Sequence, residues 1–63
     1  MSEAPTLTPH VLVLDDDPSV RRLVCDYLRE NELRTTAAAN GKEFDAALAA
    51  ETIDLVVLDL RLP

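Results

Sequence analysis

Sixty-three residues make at most one small domain, and a chain of this size buries only about 60% of the surface its unfolded form exposes, so its core is thin. Twelve acidic against six basic side chains give a formal net charge of −6, which argues against direct contact with nucleic acid or an anionic membrane, since both call for a surplus of Lys and Arg. Cys25 is the only cysteine, so no internal disulfide can form; with no signal-like leader and no apolar run of membrane-spanning length, the chain reads as cytoplasmic.

Residues 1–9, M-S-E-A-P-T-L-T-P, carry two prolines and several small polar side chains and are expected to form a loose tail. Val11 to Leu14 is a continuous apolar run of strand length, which suits a strand buried on both faces, and it ends in three acids, Asp15, Asp16 and Asp17. His10 precedes it without an acid or nucleophile in the motif to pair with, so no catalytic role is assigned to it. Asp17 followed by Pro18 predicts a helix start, because Asp can accept from free backbone donors and Pro has no N–H to leave unbonded in a first turn. Val20, Leu23, Val24, Tyr27 and Leu28 then form an amphipathic stripe, with Arg21, Arg22, Asp26, Arg29 and Glu30 on the solvated side and Cys25 off the stripe. Asn31 is the expected left-handed stop.

The segment from Leu33 to Ala39, L-R-T-T-A-A-A, predicts a second strand, polar enough for a sheet edge. Asn40 with Glu43 forms a capping pair, and Phe44, Ala47 and Leu48 mark a second helix that ends near Ala50. Tyr27 and Phe44 are expected in the core. Ile53 to Leu58 is the third strand, and it runs directly into Asp59.

The order β-α-β-α-β with short links implies a parallel sheet with right-handed crossovers. With the polar strand at the edge, the strand order is 2-1-3 and the helices lie on opposite faces. In such sheets, sites form beyond the carboxyl ends of the strands where the winding direction reverses. Asp15 and Asp16 after the first strand and Asp59 after the third are therefore expected to converge there. Clustered carboxylates repel one another and hold either a proton or a cation; several hard oxygen ligands suit Mg²⁺, and a carboxylate can also act as a nucleophile toward phosphorus. The third strand, apolar on both faces, expects an outer neighbour that these residues do not supply. The chain thus reads as the first half of a larger α/β domain, or else as a non-catalytic half-domain that pairs with a second copy through this strand.

The stretches V-L-V-L-D-D-D-P-S-V-R-R and V-V-L-D-L-R-L-P, in this order and separation, resemble the receiver domain of bacterial two-component response regulators over residues 10–63, the amino-terminal half of such a domain. The resemblance implies a truncated flavodoxin-like, doubly wound α/β fold. It implies that Asp59 accepts phosphate from the phosphohistidine of a sensor histidine kinase. It also implies Mg²⁺ held by Asp16, by Asp15 partly through water, by Asp59 and by the backbone carbonyl of Arg61, with Pro63 shaping the following loop. Such a module is a phosphoacceptor rather than an enzyme, and it commonly controls a DNA-binding output domain. The family's switch Ser or Thr and its later Lys have no counterpart here, and Glu32 stands where the family often has Gly. A competing parse takes Asp15, Asp17 and Ser19 as D-x-D-x-S, similar to the first motif of haloacid-dehalogenase-like phosphatases, with Asp15 as nucleophile and Asp17 as general acid; it leaves D-L-R-L-P unexplained.

Overall fold

Strand β1, His10–Leu14, lies in the middle of a three-stranded sheet, so each of its faces needs apolar cover and its sequence HVLVL supplies it. The computed structural model describes residues 8–58. Within them the chain runs β1, α1 (Pro18–Glu30), β2 (Arg34–Ala38), α2 (Gly41–Ala50) and β3 (Leu55–Leu58). The strand order is β2-β1-β3 and both pairings are parallel, as the element pattern predicts.

Because side chains alternate across a strand, β1 feeds two separate half-cores. Val11 and Val13 pack with Cys25, Val24 and Leu28 of α1, with Leu33 and with Val57. Leu12, fully buried, packs on the other face with Ala38, with Ala47 and Phe44 of α2, and with Leu14, Ile53 and Val56. The two helices therefore cover opposite faces. Among the described residues, each half-core rests on three buried side chains.

Helix α1 begins as its sequence predicts: the Asp17 carboxylate accepts from the backbone N–H groups of Ser19 and Val20, and Pro18 occupies the first turn. Its buried face, however, is rotated from the predicted stripe. Cys25 is its only buried residue, with Val24 and Leu28 half-buried beside it, whereas Leu23 and Tyr27 are 70% and 64% exposed. The expectation that Cys25 lies off the stripe and that Tyr27 belongs to the core is thus corrected. The predicted stripe comprises five residues, and a helix that meets the sheet along one line buries only part of such a band. Phe44 does join the core.

The end of α1 also differs from the reading that gave Asn31 the left-handed conformation. Asn31 has φ −97°, and Glu32 takes the positive φ, 65°. The N–H of Leu33 reaches the carbonyl of Leu28 at 3.1 Å and that of Glu32 reaches Arg29 at 3.0 Å, the two bonds of a Schellman cap. Leu33 and Leu28 meet in the same apolar cluster, the side-chain contact that accompanies this cap. A side chain thus stands at a left-handed position, the one where the resemblance implies glycine, at a cost of about 1 kcal/mol.

Helix α2 starts at Asn40, whose side chain accepts from the N–H of Glu43 at 2.9 Å, while Glu43 reaches back to the N–H of Ala39 rather than to that of the cap. Strand β3 begins at Leu55, two residues later than Ile53, and its Leu55 and Leu58 are 57% and 49% exposed. Of the expected amino-terminal tail, Thr8 and Pro9 are described, and their carbonyls accept from the Arg34 side chain and backbone.

Candidate acid site at the carboxyl end of the sheet

The last described pair in the β1–β3 register is Leu14↔Leu58. Asp15 follows Leu14 and Asp59 follows Leu58 in the sequence. Asp59, Arg61 and Pro63 lie outside the described residues.

Asp15 is only 6% exposed and is held at three points. Its N–H donates to the Ala38 carbonyl of β2 at 3.2 Å, extending the β1–β2 ladder by one residue. One of its carboxylate oxygens, Oδ1, accepts from the Asp17 N–H at 2.9 Å, which turns the backbone sharply between strand and helix. Its carbonyl accepts from Nη1 of Arg21 at 2.8 Å. Asp16, at the apex of this turn, is exposed and has no hydrogen-bond partner among the described residues. Asp17 spends its carboxylate on the helix cap, the structural role its sequence position suggests.

Arg21 therefore does not belong to the solvated helix face expected from its sequence position. It is half-buried, one turn in from the Asp17 cap, and points back at the strand end. Its spacing of four from Asp17 is the sequence signal that could have found it. Arg22 and Arg29 do stay exposed; Arg22 lies 4.0 Å from Asp26, and Arg29 donates to the Thr35 carbonyl of β2 at 3.4 Å.

Asp15 is buried and accepts one N–H, yet no cationic side chain pairs with its carboxylate among the described residues. A buried carboxylate without a countercharge is costly, and its natural complement is a cation. The carboxylates of Asp15 and Asp16 offer hard oxygen donors, a type that fits Mg²⁺ better than Zn²⁺. Asp15 and Asp16 supply two carboxylates, and no group of three His, Cys, Asp or Glu side chains able to hold a metal occurs among the described residues.

The opposite end of β1 contains a polar cluster that the sequence did not reveal. The His10 ring is nearly buried, with Nε2 2.6 Å from the Thr36 hydroxyl and 3.1 Å from a Glu51 carboxylate oxygen. The Thr36 hydroxyl proton is itself donated to Glu51 at 2.8 Å, so Nε2 faces two acceptors and must carry the hydrogen. His10 and Asp54 also exchange bonds, the His10 N–H to the Asp54 carboxylate and the Asp54 N–H to the His10 carbonyl, both at 2.8 Å. His10 thus has acidic partners after all, contributed by the end of α2 and the approach to β3.

Burial pushes the Cys25 thiol above its ordinary value, with Arg29 opposing the shift and Asp26 adding to it. A raised thiol value favours the folded state while the thiol is protonated. That contribution is complete below the unfolded value and fades as pH rises through the folded one. At neutral pH Cys25 is a small apolar core residue, not a nucleophile.

The sequence of the chain matches the family model described as the response regulator receiver domain over residues 11–63, the greater part of its length. The chain belongs to the receiver domain family. Among curated relatives, the regulatory protein VirG of Agrobacterium fabrum is 47% identical over 53 residues, 84% of this chain and 21% of that protein. VirG of Rhizobium rhizogenes is 45% identical over the same share of this chain and 22% of its own length. The transcriptional regulatory protein AruR of Pseudomonas aeruginosa is 40% identical over 62 residues, 90% of this chain and 25% of that protein. The receiver segment thus spans between a fifth and a quarter of the relatives it matches. No solved structure matches significantly. Receiver membership, together with the capping role of Asp17, overturns the phosphatase parse in which Asp17 is a general acid. Among the described residues no helix is long and apolar enough to cross a membrane.

Proposed function

We propose that the chain is the phosphoacceptor part of a two-component receiver, with Asp59 taking a phosphoryl group from a histidine kinase. Asp15, Asp16, Asp59 and the backbone carbonyl of Arg61 would hold Mg²⁺. The observation that carries this reading is the buried carboxylate of Asp15 at the end of β1, which has no cationic partner among the described residues; the last described β3 residue in register with this strand, Leu58, is followed in the sequence by Asp59. Receiver membership supports the same roles.

In this reading a carboxylate oxygen of Asp59 attacks the phosphorus of a phosphohistidine. The new P–O bond forms as the P–N bond breaks, and the departing imidazole nitrogen keeps the electron pair and takes a proton. A Mg²⁺ ion held by these residues would supply the positive charge that offsets repulsion between the incoming phosphoryl oxygens and the acids. Asp15 and Asp16 act by position. Asp15 is fixed by its bonds to Ala38, Asp17 and Arg21, and Asp16 is exposed at the apex of the turn.

Residues 10–63 are then the amino-terminal half of a receiver, preceded by a short tail. The partners are a sensor histidine kinase, the remaining half of the receiver and an output domain. The names of the relatives, regulatory and transcriptional regulatory proteins, support an output that controls transcription. The protein is a cytoplasmic phosphoacceptor rather than an enzyme. Pairing of two copies along β3 is a second reading, favoured by the exposed Leu55 and Leu58.

Phosphate incorporation from a small phosphodonor with Mg²⁺, measured on this chain and on one continued past Pro63, tests the assignment. Asp59→Asn is expected to abolish labelling and Asp16→Asn to reduce it sharply; labelling that survives Asp59→Asn sinks it. Sedimentation of the chain decides the second reading, since a monomer at high concentration rules out the β3 dimer.

A further inference from the structure

The charge balance around the acid turn singles out Arg21. Three consecutive acids, Asp15 to Asp17, crowd the link between β1 and α1, and among the described residues one guanidinium, that of Arg21, reaches into it. Arg21 does not neutralise a carboxylate there: Nη1 donates to the main-chain carbonyl of Asp15 at 2.8 Å. Its own backbone N–H bonds the Asp17 carbonyl at 2.9 Å, so the residue is rigidly seated in the first turn of α1. With the Asp15 N–H tied to Ala38 and its Oδ1 tied to the Asp17 N–H, the guanidinium closes the remaining main-chain group of Asp15. The peptide that this carbonyl begins is the one that carries Asp16.

We propose that Arg21 is a positioning residue for the receiver's cation site, acting through the Asp15 carbonyl to fix the direction in which Asp15 and Asp16 present their carboxylates. The inference deepens the Mg²⁺ reading above and rests on it for the identity of the cation. Its logic is that of an outer support: the hydrogen bond orients groups that bind, and the arginine itself touches no ligand. A positive charge this near the site repels a cation, so if Arg21 acted through charge alone, deleting it would tighten Mg²⁺ binding. If it acts by orientation, deleting it loosens binding. The two roles therefore predict opposite signs.

The test compares wild type with Arg21→Met and Arg21→Lys, each verified as folded by far-ultraviolet circular dichroism. It reads solvent exchange of the Asp17 amide by NMR without metal, and Mg²⁺ affinity by titration. For Arg21→Met, the Asp17 amide is expected to lose protection while the central Leu12 amide keeps it, and Mg²⁺ binding weakens about tenfold. Arg21→Lys, with the charge but not the planar fork, is expected to recover part of the affinity. Unchanged Asp17 protection in Arg21→Met, or tighter Mg²⁺ binding, overturns the proposal. A wild-type chain that takes up no Mg²⁺ overturns the metal reading instead, and the Asp17 exchange then still decides whether Arg21 holds the turn.

Discussion

At the amino end of β1, the buried His10 ring meets Thr36 and Glu51, and the His10 main chain is matched on both sides by Asp54. At the carboxyl end of the same strand, Asp15 is equally buried, yet only one of its carboxylate oxygens has a partner among the described residues, and neighbouring Asp16 has none. Buried polar groups are ordinarily satisfied, so the first end is accounted for by stability and the second is not. The difference separates two uses of polarity. One closes the sheet; the other, in the reading proposed above, would leave positions open for a cation.

The largest effect that sharpens this contrast is expected from His10→Ala. Removing the ring opens a void and leaves Thr36 and Glu51 without their shared donor, costing about 1–3 kcal/mol in denaturant unfolding, with Mg²⁺ affinity unchanged. A loss of Mg²⁺ affinity on this substitution would break the separation of the two ends. Glu32→Gly, at the cap between α1 and β2, is expected to stabilise by about 1 kcal/mol, because the left-handed conformation at φ 65° no longer opposes a Cβ. Asp16→Asn is expected to move stability by less than about 0.5 kcal/mol in the same unfolding measurement. Only its metal titration should change.

The element order, strand order, both helix starts and the acids at the end of β1 were all legible in the sequence, because each rests on local chemistry: an apolar run, an Asp-Pro start, an Asn cap with Glu three residues on. Asp17 as a cap and Phe44 as a core residue follow from the same local logic. The rotation of α1 that buries Cys25 and exposes Tyr27 was not legible, since the width of the contact between a helix and a sheet depends on the partner face. The cluster around His10 was invisible for a related reason. Its members come from β1, β2, the end of α2 and the approach to β3, and parallel crossovers alone bring them together. Helical face alone groups Arg21 with the other arginines, although its position one turn past the cap puts it within reach of the strand end.

The central place of β1 also bears on the order in which the molecule assembles. Parallel partners cannot meet through a hairpin, and each pairing must close a loop that contains a whole helix. The closure from Val11 to Leu55 spans nearly twice the sequence of that from His10 to Arg34, and each doubling of loop length costs about 0.6 kcal/mol. The unit β1-α1-β2 is therefore expected to form first, with β3 docking after the rate-limiting step. Val57→Ala should then speed unfolding and leave the refolding rate nearly unchanged, and slowed refolding would reverse this order. Because the Asp15 bonds to Ala38, Asp17 and Arg21 all belong to that first unit, the acid turn is set before the strand that leads to Asp59 arrives.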